Sequence, residues 1–131
     1  MTGTKEDYIT YRLLKSTEIF DDATLLANNQ RWNSCVNRLY YSSFYLVSAL
    51  LYQNDIKSET HNGVKTQFNL NFIKSGLVDV RFGKLYSNLF DWRQESDYAD
   101  FLDFDEETVN PLISQVEELN ILLTRLLKNK A

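Results

Sequence analysis

Residues that break helices are nearly missing from this chain. Four Gly and one Pro in 131 residues are too few to turn a many-stranded sheet, and apolar residues recur at steps of three and four instead. The pattern predicts five helical stretches. The first spans about Tyr8 to Asn28, with Ile9, Leu13, Phe20, Ala23 and Leu26 near helical spacing and Thr4 and Asp7 spaced as a capping box. The second spans about Arg31 to Gln53, on a stripe of Val36, Leu39, Ser43, Val47 and Leu50. The third starts near Ser58–Thr60, carries Val64, Phe68 and Phe72, and stops at Ser75-Gly76. The fourth spans about Val78 to Ala99 on Val78, Phe82, Leu85, Leu89 and Trp92. The fifth begins between Asp105 and Pro111, with Asn110 as cap and Pro111 as first helical residue one option, and carries a leucine-rich seam to Leu127. Short connections between such helices predict an all-α, up-and-down bundle of four to five antiparallel helices, filling residues 1–131 as a single domain.

Charge is unevenly placed. The net charge of −4 argues against a broad nucleic-acid-binding surface. From Asp91 to Glu107 there are eight acidic residues and one basic residue, Arg93; the remainder holds 10 acidic and 13 basic residues, a balance of +3. The acidic segment reads as a solvated linker, or more sharply as a docking surface for a basic partner. No apolar run is long enough for a bilayer, the amino terminus has no signal-like apolar stretch, and the single Cys35 cannot form an internal disulfide. A soluble protein of the reducing cytoplasm is expected. Cys35, with no local metal partner, reads as a small packed side chain. One His and one Cys support no metal site, and the chain has no Gly-rich phosphate loop, so no cofactor is expected.

Some polar residues are not explained by a bundle alone. Arg38, Tyr41, Tyr45 and Tyr52 recur at three, four and seven residues and share one face of the second helix. An Arg–Tyr face can rim a protein interface, pack as ordinary surface, or stack on a base and hold a phosphate. Arg93 and Asp97 stand one helical turn apart, either as a minor intrahelical ion pair or as an Arg held in place beside Tyr98. His61, the only histidine, opens the third helix, where a structural or capping role is the ordinary one.

Three segments carry a family resemblance. Asn37-Arg38-Leu39-Tyr40-Tyr41-Ser42-Ser43-Phe44 resembles the Arg-x-Tyr-Tyr-Ala-x-Phe signature of a small prokaryotic branch of the HEPN domain family. Thr60-His61-Asn62-Gly63-Val64 resembles its Thr-His-x-Gly segment, and Arg93-Gln94-Glu95-Ser96-Asp97-Tyr98 its Arg-x-x-x-Asp-Tyr element. Order and spacing agree, and the helical frame fits from about Tyr8 to Leu127. The resemblance implies a homodimeric four- or five-helix bundle. It also implies company: many such proteins stand beside a minimal nucleotidyltransferase as the toxin of a toxin–antitoxin pair. Many are metal-independent ribonucleases whose Arg is followed after four to six residues by His, and others are binding modules.

Here no His follows Arg93, and Tyr98 stands where one would be sought. Tyr45 likewise stands where the second-helix signature often ends in His. Imidazole can take or give a proton near neutrality, whereas a tyrosine of ordinary pKa, about 10, is a poor base there. The departure favours a nucleotide- or nucleic-acid-associated binding component, working with a nucleotidyltransferase, whose groove is lined by Arg38, Tyr41, Tyr45, Arg93, Asp97 and Tyr98. Within it, the Tyr98 hydroxyl could accept a nucleotidyl group. A weak metal-independent endoribonuclease using Arg93 with Tyr98 or His61 is the enzymatic alternative. A homodimeric scaffold without a ligand is the third.

Overall fold

The computed structural model describes residues 3–98 and 103–128, the side chains of 94–98 excepted. Helix α1 runs Lys5–Asn28, α2 Trp32–Gln53, α3 His61–Phe68, α4 Val80–Tyr98 and α5 Glu106–Lys128. A π-helical turn, Asn69–Ile73, continues α3. The expected all-helical bundle is what forms, and no helix among the described residues is long and apolar enough to cross a membrane.

Local chemistry explains the boundaries. Thr4 and Asp7 form the expected reciprocal cap, so α1 starts at Lys5, a little ahead of the apolar pattern. Gly76 takes a φ of 85°, which a side chain would oppose, and so ends the third helical segment as expected. The start of α5 departs from the Asn110–Pro111 option. Asp105 accepts a hydrogen bond from the Thr108 backbone N–H at 2.9 Å, so the helix opens at Glu106 and Pro111 lies inside it. The upstream cap and the burial of Val109 in the added turn together offset the hydrogen bond that the proline removes.

Helix α2 is the axis of the bundle and packs on α1, α3, α4 and α5. Lys5 pairs with Asp55 and Ser16 bonds to Ser42, so α1 and α2 are antiparallel. Arg81 pairs with Glu118 while Trp92 packs on Phe104, so α4 and α5 are antiparallel as well. Leu39, Val47 and Leu50 from α2 and Leu119 and Leu123 from α5 are in the solvent-excluded core. One polar knot crosses it. The Ser16 hydroxyl donates to the Ser42 carbonyl at 2.6 Å, Ser43 donates to Asn120 Oδ1 at 2.8 Å, and Asn120 Nδ2 donates to Ser42 Oγ at 3.1 Å. Two serines in succession are thereby buried with partners and fix the register of α1, α2 and α5.

Candidate functional site

Tyr40 and Tyr41 are consecutive on α2, so they point about 100° apart around it. Tyr40 turns inward and is fully buried; Tyr41 is half-buried at the rim. The Tyr40 ring packs against Phe44, Tyr86 and Phe90 at 5.8, 5.7 and 6.2 Å between centroids. Its hydroxyl reaches out of this aromatic box and meets His61 Nδ1 at 2.8 Å.

His61 is held there by the start of α3. Thr60 caps that helix, its hydroxyl accepting from the Gly63 N–H at 2.9 Å. The imidazole lies 4.4 Å from the Phe44 ring and 5.8 Å, edge to face, from Tyr41. Against the same two tyrosines, Arg93 Nη1 donates to the Tyr41 hydroxyl at 3.4 Å, and its guanidinium lies 5.3 Å from the Tyr40 ring. Arg38 stands over the Tyr41 ring at 5.0 Å and is steadied by two hydrogen bonds to Asn37 Oδ1. Lys65, one turn along α3, lies 4.4 Å from the Phe90 ring.

This neighbourhood changes the acidities of its members. Burial, and then the charge of Arg93, lower the His61 pKa below its usual 6.5, so the imidazole is neutral at pH 7. Burial pushes the Tyr40 phenol up to about 12, and Tyr86, more deeply buried beside it, well above the usual value. The Tyr86 ring packs 5.7 Å from that of Tyr40, and its hydroxyl is buried. The cluster therefore offers a neutral imidazole beside the guanidinium groups of Arg38 and Arg93. Such a set can bind a phosphate and can move a proton near it.

Of the residues singled out in the sequence, Arg38, Tyr41, His61 and Arg93 come together here. Tyr45 instead lies over the guanidinium of Arg12 in α1, at 5.3 Å. Asp97 and Tyr98 end α4, and their side chains are outside the described residues, so the pairing of Asp97 with Arg93 is too. Cys35 is buried and its thiol is pushed up to about 11 by that burial, as suits a packed side chain. Among the described residues no three His, Cys, Asp or Glu gather as metal ligands. Tyr40 is the residue that sequence reasoning passed over. Its signal was the doubled tyrosine, since one turn of helix cannot bury both rings equally.

Comparison with known proteins agrees with this frame. The HEPN domain family profile matches residues 9–126. A Thermotoga maritima protein named UPF0332 protein is 42% identical over 113 residues, which cover 86% of each chain. Two Methanocaldococcus jannaschii proteins named as putative toxins are 30% and 26% identical, over 76% and 81% of this chain and 67% and 76% of their own lengths. The three signature segments, the bundle they fold into and a match across nine-tenths of the sequence agree that this chain belongs to the HEPN domain family.

Proposed function

We propose that the chain is the toxin-like component of a two-protein module, that it works as a homodimer with a minimal nucleotidyltransferase partner, and that its Arg93–Tyr41–His61 cluster holds a phosphate of a nucleotide or RNA. The observation that carries this is the shared footing of Arg93 and His61 on Tyr40 and Tyr41. Four side chains from three helices meet at one rim, where an isolated surface ion pair would need only two. The relatives named as toxins support the broader role. Arg38 and Lys65 add positive charge at the same rim, although the net charge of the chain is −4.

The binding reading is tested with a labelled single-stranded RNA. Arg93→Gln and Arg38→Gln should each weaken binding about tenfold or more, the usual size for a lost charge-assisted hydrogen bond. Unchanged affinity in both would remove the cluster from the function. Co-purification of the native protein with the product of a neighbouring gene tests the module. Recovery only as a self-associated species, with no nucleotidyltransferase gene adjacent, would count against it.

One observation favours ribonuclease chemistry as a second reading. The Tyr40 hydroxyl can donate to His61 Nδ1 or accept from it, so it supports either tautomer of a neutral imidazole. With the proton on Nδ1, the free Nε2 lone pair is a base suited to a 2′-hydroxyl; with the proton on Nε2, the ring is a donor to a phosphate oxygen. This reading requires RNA cleavage in the presence of a chelator, abolished by Arg93→Ala and reduced by His61→Ala. Cleavage that survives Arg93→Ala belongs to another site or a contaminant.

A further inference from the structure

Helices α1 and α5 leave a groove of about 480 Å³ between them, with Leu46 of α2 in its lining. Phe20 of α1 and Ile121 of α5 belong to its walls. It shares no residue with the Arg93, Tyr41 and His61 cluster. The surface around it is apolar where a single copy meets water. Ile121 is 48% exposed, and Leu14 and Leu25, on the face of α1 that carries Asp21, are 67% and 61% exposed. Single exposed leucines are ordinary, but three large apolar side chains beside one groove mark a contact face.

Charge is sorted along this groove. The Phe104 N–H donates to Asn33 and Gln53 donates to the Leu126 carbonyl, so α5 runs in the direction of α2 and opposite to α1. Ser16 and Asn120 meet in the polar knot, which puts Asp21, further along α1, at the Glu117 end of α5. Arg125 and Lys128 line the other end. All four charged residues are exposed, and none is in an ion pair among the described residues. Glu117 and Arg125 cannot pair within one chain, because eight residues of helix separate them by about 12 Å. Ile121 lies midway, four residues from each.

A two-fold axis joins a surface patch to itself in reverse. Set at Ile121, such an axis lays α5 antiparallel to its copy and brings Ile121 against the partner's Ile121. Glu117 then meets the partner's Arg125, and the end that carries Asp21 meets the end that carries the partner's Lys128. We infer that the α1–α5 groove is the face on which a second copy of this chain docks, centred on Ile121 and held in register by Glu117–Arg125 pairs in both directions. A partner of uniform charge does not fit this pattern, since one end of the groove would face a like charge. The inference rests on the homodimer reading above and gives that dimer its face.

Sedimentation equilibrium of the full chain tests it, with the fold of each variant checked by circular dichroism. The parent should dimerise, and less tightly at high salt. Glu117→Arg sets like charges together at both ends and should weaken the dimer at least about tenfold, as should Arg125→Glu. The double variant Glu117→Arg, Arg125→Glu puts opposite charges back in exchanged places. It should regain most of the lost affinity, which a folding defect would not do. Ile121→Asp brings two carboxylates to the axis and should weaken the dimer by a similar factor. A dimer unchanged by Glu117→Arg and Ile121→Asp, or a double variant no tighter than the single ones, overturns this face and leaves the homodimer reading to another surface. A parent that stays monomeric overturns both. A neighbouring gene product that co-purifies with the parent and is lost in Glu117→Arg, while the dimer persists, assigns the groove to that protein and overturns the second copy as its occupant.

Discussion

Gly63 shows what the Thr-His-x-Gly segment does physically. A Cβ at this position would lie 2.6 Å from Ser58 Oγ and 2.9 Å from Thr60 Oγ1. The second atom is the capping oxygen bonded to the Gly63 N–H, so the cap and a side chain compete for one place. Gly63→Ala should gain at most about 1 kcal/mol from helix propensity. Against this stand an overpacking cost of about 1–3 kcal/mol and loss of a threonine cap worth about 1 kcal/mol. A net destabilisation of roughly 1–2 kcal/mol follows, because the strain can relax by breaking the cap and the two costs are then partly alternatives. Ser58→Ala removes the nearer oxygen and leaves only Ser58 Cβ at 3.9 Å, an ordinary contact. In that background Gly63→Ala should cost about 1 kcal/mol less, a coupling that a double-mutant cycle resolves. Urea denaturation followed by circular dichroism measures all four proteins, with the m-value checked for constancy. The His61 ring protons in NMR should shift in Gly63→Ala and move back toward their original position in the double variant. A Gly63→Ala protein as stable as the parent, with His61 unmoved, would refute the account of why glycine stands here.

Tyr40→Phe removes the 2.8 Å contact to His61 and keeps the ring, so it should lose about 1 kcal/mol in the same denaturation assay. Stability should also fall with acid in a way that His61 controls. Its folded pKa is lowered, so the unfolded chain binds the proton first. The contribution is complete above the unfolded value of about 6.5 and is lost as pH falls below it toward the folded value. Thermal midpoints measured between pH 8 and 5 should therefore decline, and His61→Gln should flatten that decline. Pro111 is exposed within α5 and interrupts its hydrogen bonding, so Pro111→Ala should raise stability by about 1–3 kcal/mol, read as a higher urea midpoint.

The bundle was legible because burial follows helical period. Val36, Leu39, Val47 and Leu50 line up in the sequence and are buried together in the fold. The ends were legible where a side chain makes the cap, as at Thr4, and where only glycine fits the backbone, as at Gly76. Helix α5 was harder, because Asp105 and Asn110 are both good caps by residue type and only the geometry chooses between them. The site was half legible. Arg38, Tyr41 and Arg93 were visible as polar residues without a structural task. Spacing could not bring His61 to them, because its place depends on the 54–60 connection and on the contact with Tyr40, 21 residues away in sequence. Sharing a helix face was also a poor guide to partners. Tyr41 and Tyr45 are one turn apart, yet one packs against Arg93 and Arg38 and the other against Arg12 of α1.

Tyr40 belongs to the core by its ring and to the candidate site by its oxygen. A ring enclosed by Phe44, Tyr86 and Phe90 cannot swing without opening the interior, so its hydroxyl is as fixed as the packing around it. His61, at the less constrained start of a capped helix, takes its orientation from that oxygen. Arg93 meets the same aromatic box from α4, over the Tyr40 and Phe90 rings and donating to the Tyr41 hydroxyl at 3.4 Å. Moving His61 therefore means giving up a well-formed hydrogen bond and its packing on Phe44.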